Sequence, residues 1–410
     1  MPEKHDVVIV GGGQAGLSMS YWLSRYGREH IILERATVAE RWRQERWDSL
    51  HFQFPNSFLQ LPGHEYGGPE PYVFAHNTEI LRYIEDYRTK IGAPVQTGVD
   101  VRSLAFDDGA NTFRLTTPRG LISARQVVLA TGPFQRPLIP RCASAFPPHV
   151  LQLHASAYRN PAQLPPGSVL VIGSGSSGCQ IAEELQQQGR TVYLSVGRHR
   201  RMPHRHRGRY MLEWLSDMGV FDFPIDRIPG GQIPPPLVVT GVNGGHGIDL
   251  RQFAADGVTL LGRLIGIEDG NAAFGADVEE RLVEADNAAR DFVRRVDEYI
   301  QQSGIAAAEE DSGDTTGPVP VQHTSPTSIV DLRTAGISTV IWSTGYQFDF
   351  GWVRLPIFDD DGRPLQHRGI TACRGAYLLG LHWMHTFGSG TLFGVGKDAQ
   401  YVADHMTRKS

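Results

Sequence analysis

Two short glycine-rich turns carry the chemistry most plainly written in this sequence. Gly11-Gly-Gly-Gln-Ala-Gly16 follows the apolar run Asp6 to Val10 and precedes an amphipathic stretch reaching about Tyr26. Gly11, Gly13 and Gly16 therefore fill a GxGxxG pattern between a buried strand and a helix. In that setting the first glycine makes a tight turn, the second lets the backbone approach a pyrophosphate, and the third lets helix and strand pack closely. The helix N-terminus offers unpaired N–H groups and the positive end of a dipole to the phosphates. The next apolar run, His30 to Leu33, ends at Glu34, 18 residues beyond Gly16. A carboxylate there can accept hydrogen bonds from both hydroxyls of a ribose.

The same grammar repeats downstream. Ser168 to Ile172 reads as a strand, Gly173-Ser-Gly-Ser-Ser-Gly178 as the turn and Cys179 to Gln188 as the helix, so the chain is built for two dinucleotides. Eighteen residues beyond Gly178 stands Val196, at the end of the strand Thr191 to Ser195, and no acid is there. Instead the chain continues GRHRRMPHRHRGR from Gly197 to Arg209, with six arginines and three histidines. A nucleic-acid tract, a histidine metal site, a solvated loop and a clamp for one small anion are all readings of such a run. His199, His204 and His206 have no cysteine or acidic companion in the run, which argues against a metal and for positions at the surface or at a ligand's edge. A site that lacks the ribose carboxylate and offers Arg198, His199 and Arg200 instead suits a 2'-phosphate, and so NADPH rather than NADH. Arg201 is expected to share that clamp, with the charges from Pro203 onward lining the cofactor entrance or the surface.

These residues need a scaffold, and the composition supplies one. The chain has 410 residues, 40% hydrophobic and 20% charged, enough for two domains with separate cores. A formal net charge of -5 argues against a general polyanion binder, so no nucleic-acid partner is expected. Cys142, Cys179 and Cys373 lie far apart, which excludes a CxxC pair, a zinc ribbon and a dense disulfide framework. No apolar run reaches the roughly 18 residues of a membrane span, and a cytoplasmic location is expected. Two further strands stop at Thr-Gly, Val127 to Gly132 and Val340 to Tyr346, where a small pair lets the chain turn close to a cofactor. Helices are expected at Tyr210 to Met218 and, from the spacing of Leu282, Ala285, Ala289, Phe292, Val296 and Ile300, at Asp277 to Gln302. Pro229 to Pro236 reads as a loop. Proline and glycine mark two crossings, Arg159 to Gly167 and Asp314 to Pro320.

Together these motifs resemble the FAD- and NADPH-dependent monooxygenases of the flavin-containing type, over nearly the whole chain. The resemblance rests on Gly11 to Gly16 with Glu34, the segment Arg41-Trp-Arg-Gln-Glu-Arg-Trp-Asp-Ser-Leu50, the two Thr-Gly strand ends and Gly173 to Gly178. His154 and Tyr158 match the second half of the family's F-x-G-x-x-x-H-x-x-x-Y signature, whereas Pro148 and Val150 replace its Phe and Gly. Tyr158 in place of Trp is similar to the heteroatom-oxidising branch.

The implied fold is α/β, with two Rossmann-like dinucleotide-binding domains. An FAD domain of residues 1–160 and 325–410 would hold an inserted NADPH domain of residues 165–324. FAD would be held by Gly11, Gly13, Gln14, Ala15 and Gly16, by Glu34, Arg35 and Trp42, and by Val101, Thr131 and Gly132. The glycine-rich run Gly380 to Asp398, leading into a helix Ala399 to Met406, would add Gly396 and Asp398 and turn a positive helix end toward the flavin. NADPH would be held by Gly173, Gly175, Ser176, Ser177 and Gly178, by Arg198, His199 and Arg200, and by Thr344 and Gly345.

The implied activity is insertion of one oxygen atom from O2 into a small soft nucleophile at nitrogen, sulfur or activated carbon, through a C4a-hydroperoxyflavin. Gln53, Asn56 and His385 are the candidates for a catalytic group, and no metal is expected. Two other readings stay open: an FAD-dependent NAD(P)H oxidoreductase that reduces a quinone, a metal or a protein, and a silent nucleotide-binding accessory protein. Whether the chain forms a homodimer is left open as well.

Overall fold

The computed structural model describes residues 3–228, 233–309 and 329–408. Strand β1 (Glu3–Val10) buries its last four residues and turns at Gly11 into helix α1 (Gln14–Arg25). Next come β2 (His30–Glu34), the short helix α2 (Glu40–Gln44) and α3 (Asn77–Lys90). Strands β3 (Val95–Thr97), β4 (Ser103–Asp107), β5 (Thr112–Thr117) and β6 (Gly120–Leu129) complete the first half of the chain. β1 lies parallel to both β2 and β6, with Val7 to Val10 opposite His30 to Leu33 on one side and Gln126 to Leu129 on the other. Strands buried on both faces are apolar throughout, which is why this part of the sequence shows runs and no alternation.

The chain then leaves for a second sheet. β7 (Leu151–His154), β8 (Ser168–Ile172), helix α4 (Ser176–Gln187) and β9 (Val192–Ser195) follow in order. After them come α5 (Met211–Asp217), α6 (Leu250–Ala255), β10 (Thr259–Leu261), the long helix α7 (Val278–Ser303) and β11 (Ile337–Trp342). These five strands form an all-parallel sheet in the order β7-β11-β8-β9-β10. The chain returns to the first sheet with β12 (Val353–Arg354) and β13 (Ala376–Leu378), then closes with helix α8 (Val395–Arg408). α8 packs against α1.

Two expected boundaries move. The division drawn from the sequence left residues 151–160 and 325–342 with the first sheet, but β7 and β11 pair in the second, where β11 is buried between β7 and β8. A strand as apolar as Ile337–Trp342 needs neighbours on both edges and cover on both faces, and only the middle of that sheet supplies them. Helix α8 starts at Val395 rather than Ala399, which puts Gly396 and Asp398 in its first turn. The crossing at Asp314 to Pro320 lies outside the described residues, as do Pro229 to Gln232 of the expected loop. The other crossing is pinned: Arg159 donates to the carbonyl oxygens of Ser156 and Tyr158 at 2.9 Å each, and its own carbonyl accepts from Asp48 N–H. Helix α7 buries Leu282, Ala285, Ala289, Phe292 and Val296, the face its periodicity predicts. Among the described residues no helix is long and apolar enough to cross a membrane.

Candidate active site

The two glycine-rich turns have the same construction. Gly11 has φ +115° and Gly173 φ +107°, in the left-handed region that favours glycine. A side chain on Gly11 would strike the Ala130 carbonyl, and one on Gly173 the Ser343 carbonyl, each at the end of the neighbouring strand. A Cβ on Gly16 or Gly178 would collide with the carbonyl oxygen of Gly11 or Gly173, so helix and strand touch there. Gly13 and Gly175, by contrast, face open space. They are also the N-caps of α1 and α4, and neither helix has a side-chain cap. Helix α3 shows the alternative, a full capping box of His76 and Glu79. Two uncapped helix starts behind open glycines leave N–H groups for an anion from outside, and each suits the pyrophosphate of a dinucleotide.

The sites differ at the strand that follows. Glu34 accepts Gly12 N–H at 2.7 Å and Ala36 N–H at 2.9 Å, so its carboxylate sits beside the first turn. In the second, Ser174 occupies the loop position of Gly12 and its hydroxyl accepts Gly197 N–H at 2.9 Å. A serine in the loop thus does the tethering that an acid at the strand end does in the first site, and no carboxylate is needed there.

The basic run divides. Arg198 is exposed and makes no ion pair among the described residues, and Arg200 donates Nε–H to the Pro235 carbonyl at 2.8 Å. Arg201 does not join them: it is buried and bonded to Asp249 at 2.6 Å, with Asp286 at 3.8 Å. His199 and His206 are buried rather than at the surface, His199 against the Gly197 carbonyl and His206 against Asp297 at 2.9 Å. Arg205 and Arg209 lie over the rings of Tyr210 and Trp214, Arg209 also pairs with Asp217, and Arg207 shares Asp297. Among the described residues no cluster of His, Cys, Asp or Glu could hold a metal ion.

A cavity of about 700 Å³ starts at the first turn and reaches toward the second. Gly11, Gly13, Gln14, Ala15, Glu34, Arg35, Trp42, Val101, Thr131 and Gly132, all expected at FAD, line this one cavity. Gly16 supports the turn from behind. Gly396 and Asp398 are not on the wall: Gly396 packs on Pro62, and Asp398 is buried beside Arg368, with burial holding its carboxyl above the ordinary range. Of the second site, Ser177 reaches the cavity, whereas Gly173, Gly175, Ser176, Gly178, Arg198, His199 and Arg200 lie outside its wall, as do Thr344 and Gly345. The Gly345 carbonyl accepts Leu138 N–H at 3.0 Å and faces His154 Nε2 at 3.0 Å.

Of the three expected catalytic residues, Gln53 lines the cavity and the other two do not. Asn56 is buried in a 3-10 turn, where its amide donates to the Glu70 carbonyl at 3.0 Å. His385 is tied through its backbone to Ser389 and to Ile225 N–H. The histidine on the wall is His382, three residues earlier, edge-on to Phe134 at 4.9 Å. The residue is exposed to solvent, and desolvation by the protein groups around its ring lowers its pKa to about 4. Arg46 and Tyr346 reach the same wall. No spacing rule marks any of these three; only the run Arg41 to Leu50, read as a family segment, hinted at Arg46.

The half-present signature has a structural use. Tyr158, fully buried, donates its hydroxyl to Glu184 Oε2 at 2.6 Å, and Ser49 donates to Glu184 Oε1 at 2.7 Å. Burial and the Glu184 carboxylate push the Tyr158 pKa well above its usual value. Glu184 on α4 thus ties the linker and the cavity-wall segment to the second nucleotide unit.

Comparison with known proteins agrees with this geometry. Residues 8–216 match the pyridine nucleotide-disulphide oxidoreductase family. An uncharacterized CzcO-like oxidoreductase of Geobacillus kaustophilus is 32% identical over 404 residues, covering 98% of each chain. The indole-3-pyruvate monooxygenase YUCCA1 of Oryza sativa subsp. japonica is 30% identical over 185 residues, 44% of this chain and 45% of that one. A flavin monooxygenase from Stenotrophomonas maltophilia shares the fold at TM-score 0.66 and 21% identity, covering 99% of both chains. The open glycines and uncapped helix starts fit one dinucleotide at each turn. The chain belongs to the pyridine nucleotide-disulphide oxidoreductase family and is an FAD- and NADPH-dependent flavoprotein oxidoreductase with the fold of the flavin-containing monooxygenases.

Proposed function

We propose that this enzyme is a monooxygenase: NADPH, a proton, O2 and a soft nucleophile give NADP+, water and the nucleophile carrying one oxygen atom. Bound flavin supplies the chemistry of accepting hydride and activating oxygen, and the protein supplies position and electrostatics. The described residues between 151 and 342 form the pyridine-nucleotide unit and the rest of the described chain the flavin unit. The first turn of α4 receives the NADPH diphosphate, and Arg198, with Arg200 beside it, takes the 2'-phosphate.

The observation that carries the reading is the cavity wall. Trp42, Trp47, Phe52, Phe54 and Phe134 make it water-poor, while Gln53 offers an amide and His382 a neutral imidazole. Such a wall can hold a proton donor beside a reactive oxygen species while excluding bulk water, which would otherwise hydrolyse it. Cysteine relay is disfavoured, because Cys142, Cys179 and Cys373 are free and none lines the cavity. Burial also pushes the Cys179 thiol well above its usual pKa, away from the thiolate a relay needs. Free cysteines suit a reducing, cytoplasmic setting. The partly matching relative named as an indole-3-pyruvate monooxygenase supports oxygen insertion as the outcome.

The test is a panel of amines, sulfides and aromatic oxo acids screened for NADPH consumption under 18O2. Label in the product at one atom per NADPH is the expected result. NADPH oxidised with no label in any product, and a quinone or a disulfide reduced instead, refutes it.

A further inference from the structure

Arg46, half-buried on the cavity wall, contrasts with three other arginines that the fold pairs with carboxylates. Arg28 pairs with Asp6 at 2.8 Å, Arg201 with Asp249 at 2.6 Å and Arg251 with Asp286 at 2.9 Å. Arg46 pairs with none among the described residues. Its one hydrogen bond to the backbone runs to the Glu45 carbonyl at 3.0 Å, and the Glu45 carboxylate is itself committed to Arg41 at 2.6 Å. The guanidinium lies over the rings of Trp42, at 5.1 Å, and Phe134, at 5.5 Å, with Tyr346 on the same wall. Burial lowers its pKa from the ordinary arginine value by more than the neighbouring Tyr346 and Glu45 raise it. A guanidinium stays charged, so the site holds a positive charge with no carboxylate paired to it among the described residues, and an incoming anion would neutralise it.

Neither dinucleotide requires that charge for its phosphates. The first turns of α1 and α4 each leave open N–H groups behind Gly13 and Gly175. Two cradles serve two diphosphates, and Arg46 belongs to neither turn. Its surroundings include two flat aromatic faces, and a fork of N–H donors beside them suits a planar, two-oxygen anion on a planar body.

We propose that Arg46 forms a carboxylate subsite, with Trp42 and Phe134 receiving the aromatic or otherwise planar body that bears the acid. The enzyme's substrate class is then an aromatic carboxylic acid with a soft nucleophilic centre. This rests on the monooxygenase reading for the reaction but not for the binding, which needs neither NADPH nor oxygen.

The test is anaerobic titration of the FAD-loaded enzyme with phenylacetate and benzoate against phenylacetamide and benzamide, followed by flavin absorbance and by calorimetry. The acids are expected to bind about ten- to a hundredfold more tightly than the amides, the range for one charge-assisted contact. Arg46→Met, which keeps an apolar stem between the rings, is expected to abolish that preference, and Arg46→Lys to keep part of it. FAD content and NADP+ affinity should stay as in the native enzyme. Equal binding of acid and amide by the native enzyme overturns the proposal without any variant. So does a loss of FAD, or of NADP+ affinity, in Arg46→Met as large as the loss for the acids, because Arg46 would then serve a cofactor's phosphates. Oxygen insertion is judged separately by the 18O label, so either idea can fail alone.

Discussion

Two arginines three residues apart should fail in opposite ways. Arg198 is exposed at the end of β9 and free of carboxylates, so Arg198→Ala removes only what it does for a ligand. A charge-assisted contact to a 2'-phosphate is worth about 1.5–3 kcal/mol, and exposure to solvent favours the lower half of that range. The expected loss is roughly ten- to thirtyfold in NADPH affinity, with NADH, which lacks the phosphate, little changed. Arg201 is buried between Asp249 and Asp286, and Arg201→Ala strands two carboxylates that retain only part of their partners in Arg251. Breaking a buried pair on one side typically costs about 3–5 kcal/mol, a large share of a domain's stability. That variant should unfold at lower denaturant while any folded fraction keeps its preference for NADPH. Kd values for both nucleotides by fluorescence quenching and urea midpoints for both variants make the comparison. Equal losses for NADPH and NADH in Arg198→Ala refute the clamp. A stable Arg201→Ala that no longer distinguishes the nucleotides refutes the assignment of Arg201 to the core.

Gly16→Ala puts a Cβ into the Gly11 carbonyl and should yield protein without FAD, whereas Gly178→Ala should retain FAD and lose NADPH binding; flavin content and nucleotide titration check both. Gln53→Ala should lower oxygenated product per NADPH at unchanged stability. Asn56→Ala should do the reverse, costing about 1–3 kcal/mol because the Glu70 carbonyl loses a buried donor. The opposite assignment of these two phenotypes would return Asn56 to the reaction. His382 and His204 are both held near pKa 4 by desolvation, below the ordinary 6.5. A depressed imidazole pKa means the unfolded chain binds more protons between those values, so their contribution to stability is complete above about pH 6.5 and is lost as pH falls toward 4. His382→Asn should therefore flatten the decline of the melting temperature over that window, and an unchanged slope would count against the lowered pKa of His382.

Much of the frame was legible because it depends on local rules. A glycine turn between an apolar strand and a helix has one steric solution, and both turns took it, down to the strand Ser168–Ile172 and the carboxylate at Glu34. Eight of the ten wall residues named for the flavin lie at or close to strand ends or helix starts that the periodicity marks; Trp42, on short α2, came from the family segment, and Val101 lies in the loop between β3 and β4. Helix α7 was legible for a related reason, since a long amphipathic period has few other uses.

What stayed hidden depends on which segments meet. Val340 to Tyr346 reads equally well as a strand of either sheet, and only the pairing of β11 with β7 and β8 assigned it. Arg198 and Arg201 are chemically identical in the sequence, yet Asp249 and Asp286, 48 and 85 residues beyond Arg201, make one a core residue. His382 and His385 lie in one loop, and the direction in which that loop meets Phe134 sent the first to the cavity and the second away. Arg46 stands out only once the adjacent Glu45 carboxylate is seen to be committed to Arg41. Sequence by itself determined the two nucleotide folds and their order, because backbone sterics act between neighbours along the chain. Tertiary structure alone decided which charges are paired and which side chains face the cavity, because burial and ion pairing are set by residues that are distant in sequence and adjacent in space.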